Sequence, residues 1–257
     1  MLAIFRLRRA SSLNLIRLMV IVAALLFAWW ALVFITNVPH FILPAPQRVF
    51  VTLWELRSLL FSHFLVTLLE IVGGLMLGVI LGFLFAINMQ LFRLVRLWLL
   101  PVLLFSQAVP VFALAPILVL WLGYGMFSKV VMAAIIIFFP VLMTCFDGLR
   151  NTPTGYLDLA KTMNVKPWQM VWRIRFPAAL PVIASGLRMA VVVAPIGAII
   201  GEWVGSGAGL GYYMLHSNAR MQVAEMFAAL LVLACLSISL YYLADWLLKK
   251  WIPWGQG

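Results

Sequence analysis

Charge is what this sequence has least of. Only 10% of its 257 residues are Asp, Glu, Lys or Arg and seven are acidic, whereas 66% are hydrophobic. A water-soluble domain needs about a quarter of its residues charged to cover its surface, so the expected solvent is the bilayer. Cysteine is scarce too. Cys145 and Cys235 both lie in apolar runs with no Cys-x-x-Cys and no clustered histidine nearby, which argues against a disulfide or a zinc site. His40, His63 and His216 stand apart without metal-site spacing and read as structural. No Gly-x-x-x-x-Gly-Lys-Ser/Thr occurs, so the chain has no phosphate cradle of that type. No nucleophile elbow is present either. The chain is therefore expected to hold no catalytic residue, no metal and no cofactor of its own.

What is plentiful is uncharged sequence. A hydrocarbon core of about 30 Å takes about 20 residues of helix to cross. Leu18 to Val38, Ile71 to Phe92, Leu97 to Ser128, Val130 to Phe146, Ile183 to Gly201 and Met226 to Ala244 meet or approach that length. The third exceeds one crossing and carries Pro101, Pro110 and Pro116, which predicts a kinked helix with extended flanks. The fifth is interrupted by Arg188 and Pro195 and ends at Glu202. The expectation is an all-α, polytopic membrane protein of about six helices, one domain over residues 1–257.

A net charge of +11 would point to nucleic acid in a soluble protein. In a membrane protein the place of the basic residues matters more than their sum. With both termini in the cytoplasm, the inner side holds Arg6, Arg8, Arg9, Arg17, Arg93, Arg96, Arg150, Lys161, Lys166, Arg173, Arg175, Arg188, Lys249 and Lys250. Only Arg48, Arg57, Lys129 and Arg220 of the 18 basic residues remain outside. This asymmetry favours that topology and an even number of crossings. The first apolar run is too long, and lacks the Ala-x-Ala exit, for a cleaved signal.

Between the spans, Val49, Leu53, Leu56 and Leu60 recur at helical spacing within Pro39 to His63. They predict an amphipathic helix on the outer face or an ordinary helix packed on the bundle. Gly74, Gly78, Gly82 and Ala86 clear one face of the second span for close approach of another helix, in this subunit or a second. Glu70, near the outer start of that span, should face protein or water, as a polar spot at a pathway mouth or a group held at the interface. Gly205, Gly207, Gly209 and Gly211 lack the βαβ context of a dinucleotide loop.

The loop from Arg150 to Pro181 is basic yet patterned. Gly155 to Met163 can form two helical turns that Asn164, tolerant of the left-handed conformation, would stop. Pro167 suits the first turn of a second helix, Trp168 to Phe176, which Pro177 closes. Two basic helices resemble a DNA reader, but they are tied to the membrane at both ends, so a docking element for a cytosolic partner fits better.

These residues carry a family resemblance. Asp158-Leu159-Ala160, three residues, Asn164, nine residues and Ile174-Arg175-Phe176-Pro177 match in spacing the EAA loop of ATP-binding-cassette importer permeases: Glu-Ala-Ala, three, Gly, nine, Ile-x-Leu-Pro. Asp stands for Glu, Leu for the first Ala, Phe for Leu and Asn164 for the Gly. Leu43 to Pro46, Pro110 through Leu118 to Gly123, and Gly201-Glu202-Trp203 with Gly209-Leu210-Gly211 resemble the nitrate, sulfonate and taurine branch, which includes importers of thiamine pyrimidine precursors.

The resemblance implies the type I importer permease fold in the bacterial inner membrane. It implies two copies forming the pore, a cytosolic ATPase dimer carrying ATP and Mg, and a periplasmic or lipoprotein solute-binding protein. Asp158, Leu159, Ala160, Lys161, Asn164, Ile174 and Pro177 would couple to the ATPase. For the pathway, Ser106 and Gln107 beside the Pro110 kink are the polar candidates, with Glu202 and Trp203 at the outer gate; interhelical packing is the alternative for all four. The solute implied by resemblance leans toward an aminopyrimidine precursor over a sulfonate, taurine or nitrate. The rival function is an ion-gradient-driven transporter, which needs acidic groups at mid-span, whereas Glu70 and Glu202 fall near span ends.

Overall fold

The computed structural model describes residues 2–255; the side chains of 2–16, including Arg6, Arg8 and Arg9, and of Leu18 and Gly255 lie outside the described ones. The described elements, all helical, are α1 (Leu2–Thr36), α2 (Pro46–Glu55), α3 (Arg57–Leu91), α4 (Arg93–Ser106), a 3-10 turn (Val111–Leu114), α5 (Ala115–Leu122), α6 (Met126–Arg150), α7 (Thr154–Thr162), α8 (Pro167–Met170), a π turn (Val171–Arg175), α9 (Phe176–Gly205), α10 (Leu210–Ala219), α11 (Val223–Trp251) and a 3-10 turn (Pro253–Gly255). Five helical stretches are long and apolar enough to cross a bilayer, and Arg93–Ser106 with Val111–Leu122 passes the same test only as a pair bent by 92°.

That bend corrects the kinked-helix expectation. Pro110 cannot donate to the ladder, and the chain leaves helical geometry from Gln107 to Pro110 before turning sideways. The stretch Leu97 to Ser128 also runs past a turn at Gly123, whose φ is +81°, into the start of α6. Pro101, Pro140, Pro181 and Pro195 lie inside helices without ending them.

The core is α6 sandwiched between α3 and α9. A Cβ added at Gly74 would sit 2.4 Å from Ala133 Cβ, and one at Gly78 2.9 Å from the Ala134 carbonyl oxygen. Gly82 meets the Phe138 carbonyl at 3.0 Å in the same way. The small-residue face of α3 is therefore occupied by α6 of the same subunit. From the other side Gly186 meets Thr144 and Gly197 meets Ala133. Lipid tails give no hydrophobic drive for such packing, so close van der Waals contact between backbones holds these helices together.

A second cluster joins Val49 of α2 and Leu60 of α3 to Leu210, Tyr213, Ala228, Ala229 and Leu233. The amphipathic stretch is thus two helices, with Leu56 at their joint, packed on the α10 end of the bundle. The apolar part of α1, Met19–Thr36, buries none of its residues, though Trp29 rests on Phe227 at 5.6 Å between ring centres. Towards the other end, Asp245 of α11 accepts from Arg188 of α9 at 2.8 Å and from Lys249 at 2.7 Å.

Candidate functional site

The loop between α6 and α9 is built around one helix end. At the close of α7 the Val165 N–H donates to the Ala160 carbonyl (3.1 Å) and the Asn164 N–H to Lys161 (2.9 Å). Asn164 has φ +52°. This is a Schellman closure with asparagine where glycine is usual; its side chain tolerates the left-handed region at modest cost. Ala160 is 2% exposed, whereas Leu159, Met163, Tyr156 and Trp168 are all more than half exposed. Tyr156, Leu159 and Met163 border an apolar groove of about 300 Å³ that also takes in Ala160, Val165 and Ile174, with Gln169 and Arg173 at its edge. Asp158 and Lys161 pair with each other at 3.0 Å in solvent, an arrangement of small energetic weight.

Pro177 does not close a helix. From Pro167 to Gly205 the chain is helical without a gap. A proline at 177 has no N–H for the Arg173 carbonyl, and its ring crowds that turn. The ladder widens instead: the Phe176 N–H donates five residues back, to Val171, and residues 171–175 form a π turn. Trp172 and Phe176 pack edge-on against Phe83 of α3. Arg175 Nη1 donates to the Leu149 carbonyl at 3.0 Å, capping α6. The loop is therefore fastened to two core helices, α3 and α6, through its π turn.

The broken crossing carries the second group. α4 rises about 20 Å from Arg93 to Ser106 at 1.5 Å per residue, with Arg96 in its first turn and no charge after it. Both are exposed on this subunit. Ser106 donates to the Leu103 carbonyl at 2.7 Å. The N–H groups of Gln107, Ala108 and Val109 are bonded to the turn before them, but among the described residues nothing donates to the carbonyls of 107, 108 and 109, and the Gln107 amide side chain has no partner.

The opposite end of the bundle, around α10, holds a buried polar clamp. Glu202 is 1% exposed and accepts from the Thr67 hydroxyl (2.6 Å) and from the N–H groups of Gly211 (2.5 Å) and Tyr212 (3.1 Å). It caps the start of α10, where a carboxylate is favoured. Thr67 in turn accepts from the Leu210 N–H, and His63 Nδ1 from Gly209. Gly209, with φ +112°, leaves no room for a Cβ beside the Glu202 carboxylate. Lys129 is 2% exposed, and its ammonium donates to the carbonyls of Tyr124 (2.5 Å), Gly125 (3.0 Å) and Gly205 (2.5 Å). Glu70, also 1% exposed, completes the group beside Glu202.

This arrangement revises three expectations. Glu70 is neither at a mouth nor snorkelling, because α3 begins 13 residues before it and α6 and α9 cover it. Lys129, expected on the outer side by charge, is sealed inside the bundle. Glu202 presents no surface to a passage, while its neighbour Trp203 is half exposed. His63, Thr67 and Glu70 fall at i, i+4 and i+7, one face of a helix, and that spacing was the available signal for a shared polar site. From the first turn of α10, Tyr213 donates to Glu225; burial and then that carboxylate push its hydroxyl up to about 12. Among the described residues no three His, Cys, Asp or Glu side chains are placed to hold a metal.

The pattern of the family described as "Binding-protein-dependent transport system inner membrane component" matches residues 74–253. The chain belongs to that family. The permease is 53% identical over 241 residues to a "Probable ABC transporter permease protein" of Haemophilus influenzae, covering 94% of this chain and 98% of the other. It is 37% identical to the "Formylaminopyrimidine transport permease protein ThiX" of Halalkalibacterium halodurans, covering 84% and 87%. A solved structure of the MetNI methionine ABC transporter, in inward-facing conformations, shares the fold: TM-score 0.57 at 18% identity, over 74% of this chain and 93% of that one. The permease is thus a multi-pass, inner-membrane transport subunit of an ABC importer, with the helical fold of such permeases.

Proposed function

We propose that two copies of the permease enclose a pathway lined by the broken crossing, with both termini in the cytoplasm. A cytosolic ATPase dimer grips α7 from below, and a solute-binding protein delivers a small solute from above. The observation that carries this reading is the uncovered apolar rim of Tyr156, Leu159 and Met163 along α7 and its Schellman closure. Such a rim at the end of a basic loop needs a protein partner. ATP-driven movement of α7 passes through the π turn into α9 and through Arg175 into α6, and the packed bundle switches access between its sides. The polar break in the hydrocarbon supports the pathway assignment of Ser106 and Gln107, since unpaired backbone at that depth is tolerated only where it lines a water-filled cavity or is covered by protein. The solute is of the formylaminopyrimidine kind or one of the small anions of the same branch.

Replacing Leu159 and Met163 together with Asp tests the docking role without touching the core. ATPase copurification and solute uptake should fall at least about tenfold, equivalent to roughly 1.4 kcal/mol of binding, while size-exclusion behaviour stays normal. Unchanged copurification and uptake would refute the assignment.

A further inference from the structure

The geometry points to a lipid site: the groove between α9 and α11 receives one acyl chain of an anionic phospholipid, with the phosphate at the Lys250 end. The site is separate from α7 and from the broken crossing, and it depends on neither an ATPase nor a solute.

Phe176, Leu180, Ile183 and Leu187 fall at i, i+4, i+7 and i+11, one face of α9, and with Leu248 and Trp251 of α11 they border a groove of about 430 Å³. Every side chain lining it is apolar, so water has no partners there and a polar solute finds none either. From Phe176 to Leu187 the groove follows α9 for about 16 Å at 1.5 Å per residue, about half of a 30 Å hydrocarbon core. That is the reach of an acyl chain from a single leaflet. At the foot of the groove Trp251 and Trp254 are 77% and 61% exposed, and tryptophans gather where hydrocarbon meets headgroups. The turn Pro253–Gly255 packs on α9 at the same end.

The foot also carries an excess of one charge. Lys249 and Lys250 end α11, and Arg173 and Arg175 sit in the π turn that leads into Phe176. Within residues 171–187 and 245–252 the one acid is Asp245, and it is shared by Arg188 and Lys249. Arg175 is spent on the Leu149 carbonyl, whereas Lys250 lies over the Trp246 ring at 5.4 Å with its hydrogen-bond donors free among the described residues. An anionic headgroup at the interface answers that excess, and a zwitterionic one answers it only in part. A second copy of the permease does not answer it: packed here about a twofold axis, it would bring the same cations and set lysine against lysine.

The test is native mass spectrometry of the full-length permease released from nanodiscs made of equal parts dioleoylphosphatidylglycerol and dioleoylphosphatidylcholine. One phosphatidylglycerol per chain should stay bound, in at least about tenfold excess over phosphatidylcholine. Leu180→Trp, which fills the groove, should abolish that retention, with Leu187→Phe as a second filler and a normal size-exclusion profile as the check that each variant folds. Lys250→Gln should keep a lipid in the groove but bring the preference to within about threefold. Equal retention of the two lipids by the unaltered protein overturns the proposal even if neither filler folds. So does phosphatidylglycerol held undiminished by a folded filler variant, or a filler that changes the oligomeric state while lipid retention stays the same, which would give this face to a second copy.

Discussion

The two ends of the bundle solve opposite problems. At the α10 end, Glu202, Thr67, His63 and Lys129 are turned inward, and their polar atoms meet protein partners at 2.5–3.1 Å. Charge there has a structural use: it caps α10, ties α9 to α3, and gathers the Gly205 carbonyl at the end of α9 with two carbonyls before α6. At the α7 end the apolar side chains of α7 face outward, and the loop is anchored by one guanidinium and an aromatic stack. The contrast sets a part closed on itself against a part whose apolar face is uncovered. It also shows that an intramembrane acid need not mark a transport route, since Glu202 is consumed by a helix start.

The harshest way to break the contrast is to remove the Glu202 carboxyl. Glu202→Ala leaves two N–H groups and the Thr67 hydroxyl unpaired and unbalances Lys129, at about 3–5 kcal/mol for a buried charged network that loses one member. A large fall in apparent unfolding temperature in detergent is expected, with Glu202→Gln less affected. An unchanged unfolding temperature would mean the outer clamp is not what holds α10.

Pro177→Ala sharpens the other side. The new N–H can bond Arg173, the π turn can contract by one residue, and α8 then rotates by about 100° relative to α9. ATPase copurification should stay within about twofold, because the α7 rim is untouched, whereas uptake should drop about tenfold. Equal loss of both would show that Pro177 shapes docking and not transmission.

The smallest effect belongs to Asn164→Gly. A glycine takes φ +52° without strain, so stability should rise by under about 1 kcal/mol with docking unaltered. A loss of stability, read from the unfolding temperature, would contradict the Schellman closure as the reason for that backbone.

Much of this fold was legible because it depends on near neighbours in sequence. Span length gave six crossings, and Asn164 could be read as a helix end because few residues accept that backbone. What stayed hidden depends on partners far apart in the chain. Pro177 looks like a terminator until Trp172 and Phe176 are seen held against Phe83, which keeps the helix going through a widened turn. Glu70 and Glu202 are separated by a run of helices and looked like two span-end acids; only the packing of α3 against α9 unites them. The 92° bend was invisible for a related reason. Prolines inside α6 and α9 do not break those helices, and sequence alone does not say which proline lacks a neighbouring helix to brace it.

The central claim is that α7 is held by a separate nucleotide-hydrolysing subunit. In native membranes, Met163→Cys in the Cys235→Ser background should cross-link through a short bismaleimide to a copurifying ATPase, with a yield that changes on adding ATP. A permease that transports at its normal rate while Met163→Cys yields no cross-link to any such subunit, with or without ATP, would contradict the account.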